Sequence, residues 1–172
     1  MSIFTKVTGT LVIIFFSFFS CVKGQQAKSF DALLHSLLSE TVPQITVDSL
    51  HVLQNNNPSI KILDTRELEE FRISHIPNAN YVGYKNFNLE DVRLNKLDTI
   101  VVYCSVGYRS GKIGEQLIRA GYKNVLNLRG GIFGWANKGY PMVNITGTTK
   151  KVHGYSKTWG VWLNDKSNVV YE

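Results

Sequence analysis

The segment Cys104-Ser105-Val106-Gly107-Tyr108-Arg109-Ser110 holds the residue types best suited to covalent chemistry. A thiolate is a strong nucleophile, and Cys104 directly follows the unbroken apolar run Ile100-Val101-Val102-Tyr103. Downstream, Ile113, Leu117, Ile118 and Ala120 recur at helical spacing. A nucleophile between a strand and a helix sits where the unpaired N–H groups of the helix start converge. Gly107 permits the positive φ that such a curl needs. The helix N-terminus and Arg109 both favour negative charge at that point. A thiol among donors suits attack on an anionic substrate and retention of a negative product.

The elements that must position this loop are legible around it. Phe30, Leu33, Leu34, Leu37 and Leu38 form one apolar stripe of a helix. Thr41-Val42-Pro43 breaks it, and Gln44–Val47 reads as a short extended stretch. Asp48 is then expected to cap a helix over Ser49–Gln54, closed by the turn Asn55-Asn56-Asn57-Pro58. Ile60–Leu63, Ala79–Val82, Ile100–Tyr103 and Asn124–Leu128 are strand candidates, Glu67–Phe71 is a helical turn, and Gly130-Gly131 is a turn. Strands alternating with helices at this pitch predict an α/β domain with a mainly parallel sheet. Ligands in such sheets bind beyond the carboxyl ends of the strands, where Cys104 lies.

Residues 1–24 differ in composition from the rest: they hold five of the nine Phe, Cys21 and no acidic residue. Lys6 followed by the apolar run Leu11–Phe19 has the form of an export signal. The run is too short for the roughly 20 apolar residues of a permanent membrane span. Two processing routes stay open. Phe18-Phe19-Ser20-Cys21 is a loose lipobox, in which Cys21 would be lipidated; cleavage after Gly24 is the rival. Either route places the body outside the cytoplasm, as a periplasmic protein or a lipoprotein facing the periplasm. Without Lys6 and Lys23, 17 basic residues face 13 acidic ones, a mild +4. The basic residues are scattered, which argues against nucleic-acid binding. With Cys21 removed or lipidated, Cys104 is the one remaining thiol, and an exported protein normally uses Cys in disulfide pairs.

The sequence Cys-x-x-Gly-x-Arg-Ser after an apolar strand resembles the active-site loop of the rhodanese (thiosulfate sulfurtransferase) family. Leu63-Asp64-Thr65-Arg66 resembles the family's Asp-x-Arg, and Ser74-His75-Ile76-Pro77-Asn78-Ala79 its Gly-His-Ile-Pro-Gly-Ala, with Ser and Asn replacing two Gly. Gly130-Gly131-Ile132-Phe133-Gly134-Trp135 with Gly139-Tyr140-Pro141 is similar to its closing pattern. The resemblance implies a three-layer rhodanese-like domain over residues 45–143, preceded by the signal segment 1–24 and a helix and connection over 25–44, and followed by an extension over 144–172. It implies sulfur transfer through a persulfide on Cys104, held by Ser105, Val106, Gly107, Tyr108, Arg109 and Ser110, with Asp64 and Arg66 in support. No cofactor or metal is implied.

The implied partners are a small sulfur-containing anion such as thiosulfate, a thiol or cyanide acceptor, and a protein acceptor as a further candidate. Two other functions are alternatives: a persulfide carrier for a protein partner, and a Cys-dependent phosphatase or arsenate-reductase-like enzyme. Four residues separate Cys104 from Arg109, whereas the related phosphatase loops carry five, which favours sulfur. His75 is expected to make structural hydrogen bonds rather than act as a base. In the tail, 147–151 reads as an exposed loop, Val169-Val170-Tyr171 as an edge strand, and Trp159, Trp162 and Leu163 as a helical stripe packed on the domain, with a binding surface as the alternative.

Overall fold

Short apolar runs bounded by turn residues pair into a five-stranded, wholly parallel sheet in the order β1-β5-β4-β2-β3. The strands are β1 (Gln44–Ile45), β2 (Lys61–Asp64), β3 (Ala79–Tyr81), β4 (Thr99–Tyr103) and β5 (Asn124–Leu128). The computed structural model describes residues 28–171 together with Gln25, so the proposed leader and Cys21 lie outside the described residues. The chain divides into two compact units, Met1–Ser36 and Leu37–Glu172. In the first, the described residues are helical, and this helix, α1, covers 28–37.

The second unit carries the chemistry. Strand β4 lies between β5 and β2 and is buried from Ile100 to Tyr103, as parallel sheets covered on both faces require. Its side chains alternate. Ile100 and Val102 join Val42, Leu63, Ile113, Leu117, Tyr122 and Val125 in the core beneath helix α4 (Tyr108–Arg119). Val101 and Tyr103 alternate with these and are equally buried; Tyr103 reaches Ile76, just past α3 (Leu68–Ile73), and α2 (Val47–Asn56) packs on α5 (Gly131–Asn137). This is the α/β architecture with a parallel sheet that the strand–helix alternation predicts, and the three layers are those the resemblance implies.

Local chemistry corrects several boundaries. Thr46, not Asp48, caps α2: its hydroxyl accepts from the Ser49 N–H at 3.1 Å. Asp48 lies inside the first turn and instead accepts from Lys138 Nζ at 2.8 Å and the Tyr140 hydroxyl at 2.6 Å. Gly130-Gly131 is more than a turn, since Gly130 (φ 82) opens α5. The stretch read as a loop at 147–151 contains β7 (Gly147–Thr149), which forms an antiparallel hairpin with β6 (Met142–Asn144). Beyond it, β8 (Val152–His153) pairs in parallel with β9 (Val169–Val170), and α6 (Lys157–Gly160) lies between them. Of the predicted tail stripe, Leu163 is buried, whereas Trp159 is half-buried. No helix among the described residues is long and apolar enough to cross a membrane.

Candidate active site

The peptide turns sharply where β4 ends. Cys104 is 1% exposed, and its Sγ accepts the Gly107 N–H at 3.1 Å. Gly107 has φ 119 and stands at the N-cap of α4, a conformation that a side chain would strain. A Cβ there would also press on Leu38 Cδ2 at 3.0 Å and the Leu128 carbonyl at 3.3 Å. The loop's carbonyls are all engaged elsewhere. Those of Cys104, Ser105 and Val106 accept from the N–H groups of Ile132 (2.9 Å), Phe133 (3.0 Å) and Gly130 (3.1 Å) at the start of α5. The Gly107 carbonyl accepts from Asn127 Nδ2 at 2.9 Å. With the acceptors committed, the backbone groups left to meet an anion are donors.

Two glycine-specific contacts make this possible. A side chain on Gly131 would overlap the Cys104 carbonyl and Ser105 backbone, and Gly131 itself holds φ 52. Sequence reading took the Gly-Gly pair as a turn; it is the seat on which the thiol loop rests.

The predicted loop residues divide by position. Cys104, Ser105, Val106, Tyr108 and Arg109 line a pocket of about 220 Å³, together with Leu37, Tyr155 and Trp159. Gly107 acts through its backbone N–H. Ser110 lies behind the loop, fully buried, donating to Asn127 Oδ1 at 2.7 Å, and that same amide holds the Gly107 carbonyl. Ser110 and Asn127 therefore fix the curl from beneath.

Arg109 is tied to an acid that sequence reading did not single out. Its two terminal nitrogens donate to Glu70 at 2.8 and 2.9 Å, and Nη2 also donates to the Ser105 hydroxyl at 2.9 Å. Ser105 in turn donates to Glu70 Oε1 at 3.1 Å. Burial alone would raise the Glu70 carboxyl, but hydrogen bonds and charge from Arg109 outweigh it and hold Glu70 below its ordinary value. Burial likewise opposes the charge on Arg109, and Glu70 more than restores it, so Arg109 stays protonated. The local pattern at Glu70 is a capping box with Glu67 at the start of α3, both of whose bonds form, and it announces a helix start and not the bond to Arg109.

Asp64 and Arg66 do not reach the pocket. Both are 0% exposed and joined side by side, Arg66 Nη2 to Asp64 Oδ2 at 2.6 Å. Arg66 also donates to the Ser74 carbonyl at 2.6 Å, and Tyr103 donates its hydroxyl to Asp64 at 2.5 Å while accepting the Ile76 N–H at 3.2 Å. This cluster ties β2, β4 and the end of α3 together. Burial and the Asp64 charge push the Tyr103 hydroxyl well above its ordinary value, so it remains a donor. His75 stacks on Phe71 with ring centres 3.9 Å apart, and its Nδ1 lies 3.1 Å from the Phe71 carbonyl; it is not among the residues lining the thiol pocket. Among the described residues, no group of three or more His, Cys, Asp and Glu is placed to hold a metal ion.

Known proteins resemble this arrangement. The profile of the rhodanese-like domain matches residues 46–138. The chain is 28% identical over 100 residues to YrkF of Bacillus subtilis, named for a sulfur-carrier role, covering 58% of this chain and 54% of that protein. It is 32% identical over 102 residues to a sulfurtransferase of Allochromatium vinosum, covering 59% of this chain and 95% of that one. The chain thus spans about half the length of the first relative and nearly all of the second. Among solved structures, a rhodanese-like domain from Anabaena superposes with a TM-score of 0.56 at 26% identity, over 60% of this chain and 80% of that one. A rhodanese-like domain protein from Staphylococcus aureus gives 0.51 at 29% identity, over 55% and 91%.

Proposed function

This chain belongs to the rhodanese-like domain family, and from that premise we propose that it is a sulfurtransferase working through a persulfide on Cys104. The observation that carries the reading is the Cys104 thiol on the floor of a pocket, bonded by the Gly107 N–H at 3.1 Å, in a loop whose carbonyls are turned to other partners. Relatives named as a sulfur carrier and as a sulfurtransferase support sulfur transfer as the general activity.

The reaction has two displacements. The Cys104 thiolate attacks the outer sulfur of a donor such as thiosulfate; the new Cys104 S–S bond forms as the donor's S–S bond breaks, and its electron pair leaves on sulfite. The persulfide keeps one negative charge, which the Gly107 N–H and the start of α4 stabilise. An acceptor, cyanide or a thiol, then attacks the outer sulfur and returns the Cys104 thiolate. With cyanide the product is thiocyanate. A buried pocket floor limits loss of the persulfide to water-borne thiols.

The sulfur-carrier name of the Bacillus relative favours a second reading, in which the acceptor is a protein and turnover with cyanide is slow. We also propose export, on the strength of the Lys6 and Leu11–Phe19 pattern, with cleavage before Cys21 and lipid attachment there as the favoured route and cleavage after Gly24 as its rival. Membrane fractionation of Cys21→Ala tests the anchor; unchanged retention overturns it.

The test of the central reading is an intact mass of the reduced protein after thiosulfate, beside Cys104→Ser. The expected result is one added sulfur on the wild type alone, removed by cyanide as thiocyanate. Sulfur on both proteins, or hydrolysis of an aryl phosphate dependent on Cys104 with no sulfur gained, would overturn it. A loaded persulfide that cyanide removes slowly and a protein thiol removes fast selects the carrier reading.

A further inference from the structure

The C-terminal extension lies beyond the matched segment 46–138, yet it supplies one wall of the thiol pocket through Tyr155 and Trp159. Leu37, Val106 and Tyr108 line the pocket as well, so most of the lining is apolar or aromatic. The one charged residue in that lining is Arg109, and Glu70 takes both of its terminal nitrogens. A small dianion entering the pocket therefore meets a cation already compensated at close range. At about 220 Å³ the space falls just under the roughly 300–1,000 Å³ of sites for drug-sized ligands, the right scale for a small organic group.

The wall is held in place at some conformational cost. Tyr155 has φ 61, a left-handed backbone that is unusual for a bulky aromatic residue. Its N–H donates to His153 Nδ1 at 3.0 Å, and its ring lies 4.8 Å from the centre of the Arg109 guanidinium. Behind it, Gly154 donates to the Val170 carbonyl at 2.9 Å, and side chains at Gly154 or Gly160 would overlap the Tyr171 ring. The extension is pinned to α5 as well, since Asn137 donates to the Trp162 carbonyl at 2.8 Å and accepts the Asn164 N–H at 2.7 Å. Strain at Tyr155, and the anchoring of the segment that carries both Tyr155 and Trp159, hold these two pocket-lining side chains in place.

We infer that Tyr155 and Trp159 make this pocket selective for sulfur donors that carry a small aryl or alkyl group, in preference to inorganic thiosulfate. The inference rests on the persulfide reading above. For an organic thiosulfonate the step is balanced within the pair. The Cys104 thiolate bonds to the outer sulfur, the donor's S–S bond breaks, and its electron pair leaves on the sulfinate. The organic group lies against the aromatic wall while the reacting sulfur meets the loop's donors.

The experiment compares the rate at which the reduced full chain gains one sulfur from benzenethiosulfonate and from thiosulfate, by quenched intact mass. Each rate is divided by that of free cysteine with the same donor, which removes intrinsic reactivity. The expected normalised ratio favours the aryl donor by about tenfold, the scale at which an apolar pocket discriminates. Trp159→Ala and Tyr155→Gly, the latter compatible with the left-handed backbone, are each expected to lower that ratio by about fivefold or more. A normalised ratio near one, or folded variants that keep the wild-type ratio, overturns the inference and leaves the persulfide reading intact. Absence of loading from either donor overturns the persulfide reading itself. Thermal unfolding establishes which variants fold, and Tyr155→Gly, altering a half-exposed side chain, decides the matter if Trp159→Ala does not.

Discussion

Two acid–arginine pairs lie near the carboxyl ends of β2 and β4, and they serve different ends. Asp64 and Arg66 are sealed from solvent and join β2, β4 and α3 through Tyr103 and the Ser74 carbonyl. Glu70 and Arg109 retain a little exposure, 4% and 11% for their side chains, and Arg109 forms part of the pocket wall. Both pairs are bidentate or nearly so, and both hold their arginine charged. The first is architecture that happens to be ionic. The second is a charge held beside the thiol with its counterion already supplied, so the pocket's attraction for anions is set by how firmly Glu70 keeps its partner.

Breaking the sealed pair gives the largest effect. Asp64→Asn leaves the Arg66 guanidinium without a counter-charge and is expected to cost about 3–5 kcal/mol of stability, measured by urea unfolding. The loading rate per folded molecule should stay near wild type. A loss of rate with full stability would show that this pair serves the thiol after all.

Glu70→Gln should invert that pattern. It removes a smaller share of stability, about 1.5–3 kcal/mol for hydrogen bonds to a charged group, while freeing the Arg109 charge beside Cys104. Sulfur loading from thiosulfate is expected to rise severalfold, and a fall would show that Glu70 assists the chemistry directly. The pH dependence sharpens the comparison. Glu70 is held below its ordinary value of 4.5, so its contribution to stability is fully present above that pH and is lost as pH falls through its folded value. The wild-type advantage over Glu70→Gln should accordingly fade below pH 4.5 in acid unfolding curves.

The exposed pair of Lys138 and Asp48 sets the lower bound. The side chains are 53% exposed, and Asp48→Asn should leave the unfolding midpoint unchanged. A clear destabilisation would mean that the Tyr140 hydroxyl bond to Asp48 matters to α2 and α5 packing.

Much of the sheet was legible because its strands are apolar runs cut off by turn residues. Asn124–Leu128 was read to the residue, and Cys104 at a strand end followed from Ile100–Tyr103 alone. What escaped reading depends on contacts distant in sequence. Helix α5 contains Gly131 and Gly134, poor helix formers, and its Ile132 and Phe133 N–H groups bond to the carbonyls of Cys104 and Ser105, far back in the sequence. Glu70 on a six-residue helix reads as a solvated charge until Arg109 is brought to it. Tyr155 is hidden for a further reason: its left-handed backbone has no marker in an aromatic residue. The loop's own Gly107 declared its conformation through its type; Tyr155 did not.

The seat that α5 provides for the thiol loop also sets an order of events during synthesis. The carbonyls of Cys104 and Ser105 find their partners only after Ile132 and Phe133 have been made, and the aromatic wall follows with Trp159. At about 5–20 residues per second, the interval from Cys104 to Trp159 lasts roughly 3–11 s. During it the nucleophile exists as an ordinary side chain on an unfinished chain, open to any oxidant or disulfide it meets. The reactive group of this protein is thus made well before the segments that shelter it.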